Sequence, residues 1–185
     1  MTAGNLPGPD AVLDFWRGLG PGGWFRKDDA VDAEISERFE GLWQAARRGE
    51  LAHWTRDAEG ALALILVLDQ FPRNMFRQSA RAFSTDAAAR AVARLMLEAG
   101  HDRRIREDLR PFCYMPFMHS EALEDQDLCV DLVRNRLDNP NTLHHAIQHR
   151  DVIARFGRFP HRNAVLGRAP TEAETEFLAS GGYVP

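Results

Sequence analysis

Residues Ala61 to Arg77 read ALALILVLDQFPRNMFR, an apolar run that passes into a polar tract around Phe71-Pro72. A proline cannot continue the hydrogen-bond ladder and pushes the preceding residue out of the α region, so the sequence predicts a helix stopping at Phe71. The wording returns at Arg155 to Asn163, RFGRFPHRN, where Phe159-Pro160 again precedes an Arg and an Asn. Both tracts set Arg and Asn just beyond a predicted helix end, where a chain presents polar groups to a ligand rather than to its own core.

Outward from these tracts, apolar residues recur at helical spacing: Val12, Phe15, Trp16 and Leu19, then Ile35, Phe39, Leu42, Trp43 and Ala46. No β alternation is seen. Pro9 stands early in the first predicted helix, Asp28 or Asp29 opens the second, and Gly49 follows its basic end. Asp57 caps the third, Pro72 ends it, and residues 72–83 form a loop whose length suggests function. Further helices are expected over 85–99 before Gly100, over 109–118 with Pro116 bending or ending it, over 121–137, and over 141–156 before Gly157. A last one starts at Thr171, which with Glu174 matches a capping box. Helices of this length joined mostly by short turns predict an all-α fold of antiparallel helical hairpins in a single domain, residues 1–185.

With 185 residues, 44% of them hydrophobic, the chain can bury a sizeable core. A net charge of −4 with dispersed basic residues argues against a nucleic-acid partner. Arginine supplies all the basic residues but Lys27, which weakens any argument from a single arginine. Cys113 and Cys129 match neither a disulfide framework nor a zinc knuckle, and a reduced cytoplasm is expected. The run Ala61 to Leu68 is too short to span a bilayer, and the start MTAGNLPGPD lacks the pattern of an export signal. No membrane partner is expected.

Three segments gather polar residues against apolar flanks. The first holds Asp69, Gln70, Arg73 and Asn74; the second holds His119, Ser120, Glu121 and Asp125 at a break between helices. The third runs from His149 through Arg155, Arg158, His161, Arg162 and Asn163 to Arg168. If hairpins stack so that the third, fifth and seventh helices end together, these segments converge. Arginine grips carboxylate or phosphate with two parallel hydrogen bonds, so Arg73, Arg158 and Arg162 would make such a place anion-seeking. The alternative is that the arginines pair with Asp69, Glu121 and Asp125 and tie helix ends together. His145 and His149 share a helical face, and with His119 and Glu121 they are the residues a metal could use; no H-E-x-x-H occurs, and no metal or cofactor is assigned. His119, Glu121 and His149 are the catalytic candidates, with His161 a further candidate base. Trp24-Phe25, after the Pro-Gly-Gly turn at 21–23, could wall a pocket; the other tryptophans read as core.

DQFPRNMFR at 69–77, YMPFMHSE at 114–121 and FGRFPHRN at 156–163 with LGR at 166–168 together resemble the bacterial family called domain of unknown function 924. The resemblance runs from VLDFW at 12–16 to the last helix. It implies a tetratricopeptide-like helical superhelix and no established activity. By motif position its polar signature falls on Asp69, Gln70, Arg73, Asn74, His119, Ser120, Glu121, His149, Arg155, Arg158, Arg162 and Asn163. The expected function is binding of a small anion at an Arg/His site. The alternatives are a metal-assisted hydrolase using His119, Glu121, His149 and Asp69, and a helical scaffold for a protein or peptide partner.

Overall fold

Every residue from Ala61 to Pro72 is buried, so the tract that opens the sequence argument is a central helix and not a surface one. In the computed structural model, which describes residues 6–184, the chain forms two compact units. The first takes in the residues up to Arg77 together with Arg81–Arg106; the second takes in Gln78–Ala80 and the residues from Glu107 on. The described residues are all-α, without strands. None of their helices is long and apolar enough to cross a membrane. The reading of the first five residues as free of an export signal lies outside the described residues.

The first unit contains α1 (Pro9–Trp24), α2 (Asp29–Arg47), α3 (Ala58–Ile65), α4 (Phe71–Met75) and α5 (Asp86–Glu98). Helix α3 packs against α1 and α5, and α4 packs against α2. Phe71 sits at the centre, with ring centroids 4.9 Å from Phe39 and 5.9 Å from Trp16. Each such fully buried ring contributes roughly 1.5–3 kcal/mol by leaving water. Caps fall as the sequence predicts: Asp28 accepts from Ala30 and Val31 N–H, Asp57 accepts from Gly60 N–H, and Gly49 and Gly100 take positive φ beyond α2 and α5.

The predicted stop at Pro72 is overturned. Leu66–Gln70 form a π-helical turn that carries the chain from α3 into α4 with helical dihedrals at both junctions. The wider turn lets Phe71 N–H reach back to Leu66 C=O, so Pro72 enters at the first turn of α4, where a missing N–H is tolerated. The Leu68 carbonyl, which a non-proline residue 72 would bond in an α-helix, accepts instead from the Thr85 hydroxyl at 2.6 Å. Thr85 in turn accepts from Trp43 Nε1 at 3.2 Å. The expected loop over 72–83 is correspondingly shorter, because α4 runs to Met75 and a 3₁₀ turn covers Ala80–Phe83. The expected turn at 21–23 is also helical: Gly20, at φ 61, kinks α1, and Pro21 starts its last turn.

The second unit contains α6 (Pro111–Met118), α7 (Leu123–Arg136), α8 (Pro140–Phe156) and α9 (Glu172–Ala179). Helix α7 packs on α6 and α8. All eight residues of α6 are buried, and Pro116 lies within it, two residues before its end. Asn139 caps α8 through Thr142 N–H with Pro140 in the first turn. Gly157, at φ 66, ends α8 three residues before Pro160, so in this tract the glycine and not the Phe-Pro pair is the stop. Pro160 opens a 3₁₀ turn, Pro160–Arg162. Val152, Ile153 and Phe159 form a small core with Phe156, Phe177 and Tyr183 against it.

Candidate functional site

The break between α6 and α7 is where the second polar segment sits, and its first task is to satisfy the backbone. Ser120 donates to Asp125 Oδ2 at 2.7 Å and accepts from Ala122 N–H, while the Gln126 amide donates to the Met118 and Ser120 carbonyls. These bonds fix the turn, and Ser120 serves it. Beyond the turn, the chain's third polar segment folds over the second.

Glu121 is the junction. It accepts from Phe159 N–H at 2.8 Å and takes a two-pronged grip from Arg168 at 2.7 and 3.0 Å. Burial works against its charge, but Arg168 and the Phe159 N–H outweigh it and lower its pKa. Arg168 also donates to Asn163 Oδ1 and Phe159 C=O, and Asn163 donates to Glu174. Arg158 holds the buried Glu174 through both carboxylate oxygens at 2.6 and 2.7 Å. Glu174 closes the capping box of α9 as well. The network therefore clamps α9 and the 159–168 loop to the α6–α7 break, and it occupies the guanidinium groups of Arg158 and Arg168. Arg155 is elsewhere: its guanidinium lies 4.7 and 5.3 Å from the Phe156 and Phe177 ring centroids.

Beside this clamp lies a cluster of imidazoles around Arg162. Arg162 is 6% exposed, donates to His119 C=O at 3.1 Å and lies 4.4 Å from the centre of the Phe159 ring. The His119 and His149 rings are 6.3 Å apart, and the His161 ring lies 5.5 Å from that of Phe159. His149 Nδ1 contacts His145 C=O at 2.8 Å and the Tyr183 hydroxyl at 3.3 Å. That hydroxyl also meets His145 Nδ1 at 3.0 Å. Burial, then the neighbouring His119, push the His149 pKa down to about 3. Burial, then the Arg162 charge, push His161 to about 4. Both rings are neutral at pH 7.

The first polar segment is built into the first unit. Asp69 lies fully buried on the π turn and accepts from Gln70 at 2.6 Å. Arg73 grips Asp86 through both oxygens at 3.0 and 3.1 Å and lies 3.3 Å from Asp69. Asn74 donates to Asp32 Oδ1 at 2.8 Å, and Arg77 pairs with the same carboxylate. Of the three arginines in the pairing alternative, Arg73 meets Asp86 and Asp69 and Arg158 meets Glu174, while Arg162 donates to the His119 carbonyl; Arg168, which the alternative did not include, takes Glu121. Asp125 binds Ser120. Among the described residues no three His, Cys, Asp or Glu side chains are grouped to hold a metal ion. Trp24 stacks on Trp16 and donates to its carbonyl at 2.6 Å.

Sequence reasoning missed Tyr183, a single aromatic near the chain end with no periodic partner. It also read Glu174 only as a cap, whose spacing gives no hint of Arg158.

A family model described as bacterial protein of unknown function, DUF924, matches residues 12–182. A solved structure of a protein of unknown function from Agrobacterium tumefaciens, ATU0120, is 45% identical, with a TM-score of 0.90 over 94% of this chain and 97% of that one. No curated protein matches.

Proposed function

The chain belongs to the DUF924 family of bacterial proteins, and we propose that it binds a small anion at the Arg162 cluster of its second unit. One observation carries this reading: a buried guanidinium and three imidazoles, His119, His149 and His161, share one place, and two of those rings are held neutral. Placing positive charge among rings that already resist protonation makes a spot that favours a negative guest. The Glu121–Arg168 and Glu174–Arg158 pairs are the frame that positions the loop bearing His161 and Arg162. Asp69, Gln70, Arg73 and Asn74 brace the first unit in this reading and do not touch the ligand.

The other expectations fit less well. A metal-assisted hydrolase would need Glu121 as a ligand, yet both its oxygens are taken by Arg168 and Phe159 N–H. The short connection between α7 and α8 supports reading them as an antiparallel hairpin of the tetratricopeptide-like kind, in a cytoplasmic protein.

A thermal-shift screen of phosphate, sulfate and di- and tricarboxylates tests the proposal. An anion at 100 times its dissociation constant should stabilise by about 2.7 kcal/mol, and Arg162→Ala should abolish the shift. If no anion raises the melting temperature, or if Arg162→Ala responds as the wild type does, the reading is wrong.

A further inference from the structure

We propose that residues 181–184, the segment after α9, form a strap over His149: Tyr183 covers one side of that ring, and release of the segment uncovers it. The inference goes beyond anion binding and stands whether or not an anion binds.

His149 is 5% exposed, whereas His145, one turn back on the same face of α8, is exposed. Three rings stand about His149, with centroids at 5.7 Å for Phe159, 6.3 Å for His119 and 5.3 Å for Tyr183. The first two sit on backbone that is tied down. Phe159 N–H donates to Glu121 and its carbonyl accepts from Arg168, while His119 N–H donates to Met115 C=O and its carbonyl accepts from Arg162. Tyr183 has no such anchor. Gly182 N–H donates to Phe177 C=O at 2.8 Å, and beyond it, among the described residues, no backbone hydrogen bond holds the segment. The Tyr183 side chain keeps it in place: the ring packs against the cluster of Val152, Ile153 and Phe159, and the hydroxyl lies 3.0 Å from His145 Nδ1 and 3.3 Å from His149 Nδ1. A segment with few contacts and no backbone ladder opens at far lower cost than the fold as a whole. Of the three covers, the strap is therefore the one that lifts.

A glycine pair aims it. Gly181 takes φ 79 with open space where a Cβ would stand, and a Cβ at Gly182 would come within 2.5 Å of the Phe177 ring. The segment thus passes closely over Phe177 and sets Tyr183 against α8. A side chain at Gly181 is opposed by the dihedral alone.

The test is carbethoxylation by diethyl pyrocarbonate at pH 7, followed for each histidine by mass spectrometry on the full chain without added anion. His149 is uncharged at this pH, so a slow reaction reports cover and not charge. In the wild type it should react at least about tenfold slower than the exposed His53. Tyr183→Ala should speed His149 about tenfold and leave His53 unchanged. Tyr183→Phe keeps the ring and loses the hydroxyl contacts, and should give about a threefold rise. Gly181→Val keeps the tyrosine but disfavours the turn that aims it, and should also speed His149. A wild-type His149 as reactive as His53, no acceleration in Tyr183→Ala, or an acceleration that His53 shares and that marks global unfolding overturns the strap.

Discussion

Replacing Arg73 by alanine separates a brace from a binding group. In the first unit its guanidinium makes two hydrogen bonds to Asp86, at 3.0 and 3.1 Å, and lies 3.3 Å from the fully buried Asp69. Burial opposes its charge, but Asp69 and Asp86 together raise its pKa above the usual arginine value. Arg73 itself is partly exposed, but its removal leaves the buried Asp69 and Asp86 without their counter-charge, which costs about 3–5 kcal/mol because those carboxylates do not regain water. For a chain of this size each kcal/mol is worth roughly 2–4 °C, so Arg73→Ala should lower the melting temperature by about 6–20 °C. Arg73→Lys keeps the charge and loses the fork, and should recover only part of the loss. Paired with Asp86→Ala in a double-mutant cycle, the coupling should reach about 1–3 kcal/mol. A melting temperature within about 2 °C of wild type, or a coupling near zero, would refute the structural assignment of Arg73.

Glu174 is held at about 2, chiefly by the hydrogen bond from Arg158 and against the effect of burial. Its folded pKa is depressed, so its contribution is present above the ordinary value of 4.5 and is lost as pH falls toward 2; Glu174→Gln should flatten that acid limb of a stability–pH curve. A Cβ at Gly60 would stand 2.4 Å from the Trp54 carbonyl oxygen. Gly60→Ala should therefore destabilise by about 1–3 kcal/mol in chemical denaturation, although alanine favours helix by up to about 1 kcal/mol elsewhere. Burial pushes the Cys129 thiol up to about 12, so a thiol reagent at pH 8 should leave it unmodified until the chain unfolds. Labelling of Cys129 in the folded protein at the rate of a small-molecule thiol would contradict its placement.

Local rules made much of the helical layout legible. Asp28, Asp57 and Thr171 cap the helices they precede, and Gly49, Gly100 and Gly157 take the left-handed dihedral at the ends they follow. These signals act within one turn of the chain, so sequence carries them whole. The same local rules misplaced the stop at Pro72. A proline forbids only its own hydrogen bond, and two partners far along the chain decided the outcome: Thr85, 17 residues on, satisfies Leu68 C=O, and α2 packs against the helix that continues.

The sequence by itself determined the all-α class, most of the caps and the three segments in which polar residues gather. Which carboxylate each arginine meets was settled by tertiary structure, and the arginine's role depends on that partner. Glu174 meets Arg158 16 residues away in sequence, and Glu121 meets Arg168 47 away. Sequence distance says nothing of such pairs, whereas the fold brings them within 3 Å of each other and leaves Arg162 against His119. The contact of His149 Nδ1 with the His145 carbonyl, one helical turn back, is likewise one that a sequence can name but only a folded ring can make.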